Sequence, residues 1–496
     1  MGSTSSNTRN NIGLVLGPIL FLTIILFFRP SDLSREGVAI LAATVWIATW
    51  WITEAIPIAV TSLLPVVLFP LTGGLGLSTT TASYGHKYVF LYIGGFILAL
   101  AIQRWDLHRR IALTIISLIG TNVKSIILGF MLATAFLSMW ISNTATAVMM
   151  LPIAMAIVAQ LKDNPDTIED ENIIFGKALM LGVAYSASIG GMGTLIGTPP
   201  NLVLAGIVQE IYGIEISFSQ WMIFGFPISV LLLFICWKYL TSLAFTFKQK
   251  SFPGGQQEIK RLLNKLGNIS YEEIIVLIIF CATAIAWITR SFLLKKFVPG
   301  IDDTIIAIIA GLCVFIIPAS KEKNRKILTW EEAVKLPWGI LLLFGGGLAI
   351  AEGFKASGLA VWIGSQLTLL EGVSLLMLLF VLIAAVNFLT EITSNLATTA
   401  MLLPILAPLA LTIDVHPYIL MVGATVAASC AFMLPVATPP NAVVFGSGYL
   451  RIPDMAKAGI WMNIISIILL ALITYFFLPI IWDFDPGRYP QDWIQE

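Results

Sequence analysis

The sequence predicts an all-α polytopic membrane protein, with about eleven transmembrane helices plus two re-entrant hairpins in inverted repeats. Three observations carry that prediction. First, of 496 residues 58% are hydrophobic and 11% charged, with mean hydropathy +0.91. Soluble domains carry about 25% charge, so the surplus apolar surface has to face lipid. Second, apolar runs of crossing length recur along the whole chain. Third, two pairs of shorter apolar arms each meet at a polar Ser-Asn pair. Lys+Arg 28 against Asp+Glu 28 removes any electrostatic case for nucleic acid. Cys236, Cys281, Cys313 and Cys430 lie in separate apolar runs, and His86, His108 and His416 are scattered, so neither disulfides nor a metal cluster is expected.

The first run, 12–28, follows a polar segment, 1–11. Its flanks carry no A-x-A-like cleavage site, so it reads as a retained helix. Runs follow at 34–52, 54–72, 86–118, 173–212, 219–247, 272–293, 302–318, 336–356, 417–449 and 456–482. Crossing hydrocarbon takes roughly 20 apolar residues. The arms 124–141/145–161 and 373–393/397–413 are shorter, which predicts re-entrant hairpins at 124–161 and 373–413.

Loop 248–271 carries Lys248, Lys250, Lys260, Arg261 and Lys265 against Glu258, and loop 319–335 carries Lys321, Lys323, Arg325, Lys326 and Lys335. The excess of basic residues places both in the cytoplasm, with 1–11 on the same side and the tail 483–496 outside. Loop 162–172 is acidic, and acids weigh little in this rule.

The chain also repeats itself. Gly94-Gly95 matches Gly345-Gly346, Ser142-Asn143 matches Ser394-Asn395, and Thr198-Pro199-Pro200-Asn201 matches Thr438-Pro439-Pro440-Asn441. The offsets are 251, 252 and 240 residues. In this topology the two hairpins enter from opposite sides, so the halves are inverted. Many secondary transporters build their sites from such repeats, with broken helices meeting near the bilayer midplane.

The broken tips have a definite chemistry. A helix starting after Ser142 leaves its first N–H groups unpaired at the positive end of its dipole. Ser142, Asn143 and Thr144 add further donors, making an anion clamp without formal charge. Ser394-Asn395 repeats the device, and two facing clamps suit an anion with two carboxylates. The paired prolines predict helix breaks whose freed carbonyls, with Asn201 and Asn441, offer neutral oxygens to a small cation. Gly190, Gly191, Gly193, Gly446 and Gly448 would permit close backbone approach. A single Ser-Asn or Pro kink in a membrane helix is ordinarily structural; recurrence in the same order reverses that weighting. The glycine pairs read as helix packing, Glu54 and Glu391 as structural acids, and Lys87, Arg104 and Lys355 as snorkelling or interfacial cations.

Trp51-Ile52-Thr53-Glu54-Ala55-Ile56-Pro57, both Ser-Asn motifs and Ala437-Thr438-Pro439-Pro440-Asn441 together resemble the divalent anion/sodium symporter family, the INDY-type di- and tricarboxylate transporters. The resemblance covers nearly the whole chain after the first helix. It implies a homodimer whose transport domain (124–247 and 373–482) moves by an elevator motion against a scaffold (12–118 and 272–356). It also implies substrate contacts at Ser142, Asn143, Thr144, Ser394 and Asn395, to which the reading of the broken helices adds Thr198, Pro200, Asn201, Thr438, Pro440 and Asn441. Ser138, Ser142, Asn143 and Gly193 would frame one sodium site, and Thr390 with Asn395 a second. Leu396 stands where the family has Thr, which leaves sodium symport and dicarboxylate exchange both open. C4–C5 dicarboxylates are the expected cargo, with sulfate or citrate as the alternative, and the plasma membrane the expected location. No H-E-x-x-H or G-x-S-x-G motif supports an enzyme, and paired clamps imply an occluding site rather than an open channel.

Overall fold

The computed structural model describes residues 2–120, 122–160, 171–247, 253–320, 325–366 and 372–493, and it is all-helical. Lys248, Lys250, Lys321, Lys323 and most of the acidic loop, 161–170, lie outside the described residues. Helix α1 (Gly2–Phe27) packs along α2 (Arg35–Thr53), where Trp50 Nε1 donates to the Gly13 carbonyl at 2.9 Å. The segment expected as an N-terminal tail is therefore helical from Gly2. Glu54 closes α2 in the left-handed region (φ 51), and the run 54–72 divides into a turn at Ile58–Thr61 and α3 (Leu64–Thr72).

The run 86–118 divides too. Asp106, at φ 55, separates α4 (Lys87–Arg104) from α5 (Leu107–Ile119). Helix α5 is amphipathic, with Leu107, Ala112, Leu113 and Ile116 buried and Arg109 and Thr114 exposed. The first hairpin is α6 (Val123–Ser138) and α7 (Asn143–Val158). Then come α8 (Glu171–Gly191), α9 (Pro199–Tyr212) and α10 (Phe218–Tyr239), the last running into a π turn at Leu240–Ala244. The basic loop 248–271 is largely a surface helix, α11 (Pro253–Lys265), packed on α5 and α7. Helices α12 (Tyr271–Thr289) and α13 (Asp303–Ile316) follow.

The second repeat comprises α14 (Trp338–Ala356), α15 (Leu359–Gln366), the hairpin α16 (Leu375–Leu389) and α17 (Asn395–Thr412), then α18 (Pro417–Ala428), α19 (Pro439–Phe445) and α20 (Ile452–Phe476). Among the described residues nine helices are long and apolar enough to cross a membrane. The eleven runs do not each give one helix, because left-handed residues and unwound Gly- and Pro-containing segments divide several of them.

The repeats pack by one plan. Helix α6 lies on α8 as α16 lies on α18, and α8 contacts α10 as α18 contacts α20. The halves also exchange partners: α7 packs on α19, α17 on α9, α8 on α19 and α9 on α18. Each hairpin tip is thereby held beside the broken helix of the other half. Gly94 and Gly346 are close-packing positions, since a Cβ there would fall 2.6 Å from the Ala307 backbone or 2.7 Å from the Ser62 carbonyl. The cations expected to snorkel or lie at interfaces have partners. Lys87 pairs with Asp302 at 3.2 Å, Arg104 with Glu332 at 2.6 Å, and Lys355 donates to the Glu210 carbonyl at 3.0 Å.

Residues 483–493 are not a free tail. The His416 N–H donates to the Pro486 carbonyl at 3.2 Å, and its ring lies 4.1 Å from Phe484 and 4.8 Å from Trp493.

Candidate functional site

Four helices begin at one cavity of about 990 Å³. Ser142 precedes α7, Ser394 precedes α17, Thr198 precedes α9 and Thr438 precedes α19, and all four line it. A helix N-terminus presents unpaired N–H groups and about half a positive charge. The seven-residue α19 adds little to this, but α7, α9 and α17 direct three such ends at one space. Asn143, Thr144, Asn395, Pro200 and Pro440 also face the cavity. The cavity thus has the means to hold an anion on mainly neutral groups.

The prolines begin the second halves of the broken helices rather than occupying the breaks. Pro199-Pro200 and Pro439-Pro440 are the first two residues of α9 and α19, where a missing N–H is harmless. Each forces its preceding threonine into extended backbone, at φ −140, ψ 143 for Thr198 and φ −140, ψ 149 for Thr438. The unwound segments are 192–198 and 429–438.

Asn201 and Asn441 lie behind those segments, fully buried, and are not among the cavity residues. Their amides act as staples. Asn201 Nδ2 donates to the Gly191 and Thr194 carbonyls at 3.2 and 2.8 Å. Asn441 Nδ2 donates to the Ala431 and Leu434 carbonyls at 3.2 and 3.0 Å. In both halves the partners are ten and seven residues upstream.

Deep to each tip sits a small oxygen cluster. Ser138 Oγ lies 2.5 Å from Asn143 Oδ1 and 2.6 Å from the Ala187 carbonyl. Thr390 Oγ1 lies 2.6 Å from Asn395 Oδ1 and 3.0 Å from the Ala428 carbonyl. Each cluster gathers neutral oxygens, a donor type that could hold a monovalent cation, and contains no carboxylate of the kind calcium or magnesium favours. Gly193 lies in the unwound segment, its N–H on the Gly190 carbonyl at 2.9 Å; the carbonyl at Ser138 is that of Ala187. Ala187 and Ala428 contribute through backbone alone, so no side-chain pattern could have named them.

Leu396 also lines the cavity but takes no part in the second cluster. Thr393, beside it, carries a hydroxyl 2.6 Å from Thr398 Oγ1. The opposite wall includes Tyr92, Phe96 and Leu343 with the pair Arg9–Glu54 at 3.8 Å. Arg9 escaped notice because it falls in the polar segment that α1 proves to include. Glu391 does not reach the cavity. Its carboxylate accepts from the N–H groups of Phe432, Met433 and Leu434 at 2.7, 2.9 and 3.0 Å and from Asn463 Nδ2 at 2.8 Å.

The model of the family described as sodium:sulfate symporter transmembrane region matches residues 8–482. The chain belongs to this family. Within it, the chain is 51% identical over 480 residues to the sodium-dependent dicarboxylate transporter SdcS of Staphylococcus saprophyticus, covering 96% of this chain and 92% of that one. It is 52% identical over 479 residues to the SdcS protein of Staphylococcus aureus strain USA300, with the same coverage. Two solved structures share the fold at low identity. The Neisseria gonorrhoeae MtrF structure, tied to a class of antimetabolite efflux pumps, has TM-score 0.56 and 15% identity over 94% of this chain and 95% of that one. The Alcanivorax borkumensis YdaH transporter has TM-score 0.56 and 12% identity over 96% and 98%. A multi-pass membrane protein of the divalent anion/sodium symporter family is therefore the identity of this chain.

Proposed function

We propose that this protein is a secondary transporter that moves C4–C5 dicarboxylates across the plasma membrane together with sodium. The observation that carries the reading is the pairing of clamp and oxygen cluster. Asn143 and Asn395 each present a backbone N–H end to the cavity and an amide oxygen to the cluster behind it. A cation held at the amide oxygen polarises the same residue toward an anion, so the two ligands favour each other's binding. Two clamps on one cavity of about 990 Å³ suit a dianion longer than sulfate.

Sodium coupling is favoured over pure exchange because both clusters are complete without residue 396. The names of the relatives point the same way. The cavity lies between the hairpin tips on one side and Glu54, the turn Ile58–Thr61, α4 and α14 on the other, which supports an elevator of the hairpin-bearing part against a scaffold. Nothing in this site calls for a catalytic group.

The test is uptake of labelled succinate into proteoliposomes, empty or loaded with dicarboxylate, with sodium or potassium outside. Accumulation in empty vesicles should require sodium. Uptake that needs internal dicarboxylate and ignores sodium would overturn the coupling, and competition by sulfate but not by malate or 2-oxoglutarate would overturn the cargo.

A further inference from the structure

A second cavity, remote from the clamps, lies on the lipid-facing flank where α10 ends. The π turn Leu240–Ala244 carries α10 out of regular register, and Phe245 continues in extended backbone (φ −131, ψ 124). Between this turn and the first turns of α20 a pocket of about 480 Å³ opens, lined by Tyr239, Leu243, Asp454, Lys457, Trp461 and Ile465 among others. Tyr239 Oη closes its inner side by donating to the Ala458 carbonyl at 3.0 Å.

The charges here do not cancel. Asp454 is committed on both oxygens, Oδ1 to Lys177 Nζ at 2.9 Å and Oδ2 to the Arg451 N–H at 3.2 Å. Lys457 is exposed and has no ion-pair partner among the described residues. Lys124, on Ser242 Oγ at 3.2 Å, and Lys238, over the Trp237 ring at 4.8 Å, flank the same turn. The site is therefore basic.

Its polarity is graded along α20. Lys457, Trp461 and Ile465 follow at helical spacing on one face, spanning about 12 Å of axis. The exposed stripe continues through Ile468 (46%) and Leu472 (43%), and Trp461 itself is 56% exposed. Charge, then aromatic ring, then aliphatic wall is the order of a phospholipid from headgroup to acyl chain.

The structure assigns this pocket to an anionic phospholipid, its headgroup phosphate on Lys457, its glycerol region against Trp461 and one acyl chain along Ile465 and Leu243. The π turn supplies the concavity that distinguishes the site from ordinary lipid-facing surface.

Native mass spectrometry of the delipidated full-length protein, titrated with phosphatidylglycerol or phosphatidylcholine, tests the assignment. Phosphatidylglycerol should bind first and more tightly. Lys457→Gln should weaken it about five-fold, the factor equivalent to about 1 kcal/mol for one basic side chain at an anionic surface. Lys457→Arg should retain it, and inorganic phosphate should not compete. Trp461→Ala should weaken both lipids. Equal affinity for the two lipids would overturn the proposal, as would wild-type binding by Lys457→Gln. An equal loss in Lys335→Gln, an exposed cation elsewhere, would show a general field instead of a site.

Discussion

Behind the first clamp the unwound segment 192–198 is tied by neutral groups, whereas behind the second the segment 429–438 hangs on a carboxylate. Thr194 Oγ1 reaches the Met139 carbonyl at 2.5 Å, and Trp221 Nε1 reaches the Met192 carbonyl at 2.9 Å. At the position matching Met139 the second half has Glu391, which gathers three successive N–H groups and the Asn463 amide. The tips and clusters are nearly duplicated, with Ser and Asn at each tip and a hydroxyl and an Ala carbonyl at each cluster, and so is the Asn staple behind them. The other supports are not. Two halves under one ligand's demands keep the same contacts, while each holds its backbone by whatever its own neighbours allow.

The largest effect expected is at the shared asparagines. Asn143→Ala and Asn395→Ala each remove the amide oxygen of a cluster, together with a cavity-facing amide. A hydrogen bond to a charged group is worth about 1.5–3 kcal/mol, so each substitution should raise the apparent succinate constant roughly ten- to a hundred-fold. The apparent sodium constant should rise with it. Proteoliposome uptake at varied sodium and succinate reads both. Similar losses from both sides support functional equivalence, and a silent variant on either side breaks it.

Glu391→Gln probes the unequal supports. The substitution replaces one carboxylate oxygen by an amide that turns a donor toward donors, and it removes the charge from what remains. The expected cost is about 3 kcal/mol, visible as a lower unfolding temperature in detergent. Met139→Leu, at the matching position, keeps its volume and should cost below about 1.5 kcal/mol. If Glu391→Gln unfolds no earlier than Met139→Leu, the carboxylate is not what holds the second segment.

Much of this arrangement was legible in the residues, and the reason is chemical. Ser-Asn before an apolar arm has few uses within a membrane, and its repetition at an offset of 252 and, for Thr-Pro-Pro-Asn, 240 residues marks the two halves in the sequence itself. What stayed hidden depends on contacts distant in sequence. Asn201 and Asn441 read as cavity residues, yet their amides turn back to carbonyls seven and ten residues upstream. Glu391 reads as an isolated acid because its partners lie 41 to 72 residues away and three of them are backbone groups. Hydropathy cannot see the left-handed residue Asp106 that divides the run 86–118, or the break between Thr61 and Leu64 that divides the run 54–72.

The ends of the broken helices give a smaller, pH-dependent contrast. Helix α18 starts at His416, whose ring lies among Tyr418, Phe484 and Trp493. Burial pushes its imidazole down to about 4, against weaker upward pulls from Asp485 and Asp492. As pH falls below about 6.5 the unfolded chain takes up a proton that the folded one refuses until about 4. Stability from this group is thus present above pH 6.5 and lost over that window. Hydrogen exchange of residues 483–493 should quicken as pH drops from 7 to 4.5, after correction for intrinsic rates. His416→Phe should abolish the His-dependent part and leave only what the aspartates contribute.

The smallest effect belongs to the one unmatched residue of the tips. Thr144 is exposed to the cavity, while Leu396 is 6% exposed and packed into the second tip. Neither belongs to an oxygen cluster. Leu396→Thr should therefore leave sodium dependence within about two-fold of wild type, and its main cost is the lost burial of a leucine, about 1–2 kcal/mol of stability. Thr144→Leu removes a neutral hydroxyl from the cavity, worth about 1 kcal/mol, so the succinate constant should rise about five-fold with the sodium constant nearly still. The second half has Thr393 next to its leucine, and that hydroxyl is already paired with Thr398 Oγ1; it does not replace the one residue 396 lacks. The cavity should then bind its two carboxylates unequally, more firmly at the first tip. A Thr144→Leu variant that loses sodium dependence would mean residue 144 reaches the first cluster, a Leu396→Thr variant that gains much of it would mean residue 396 reaches the second, and in either case the division between clamp and cluster would have to be redrawn.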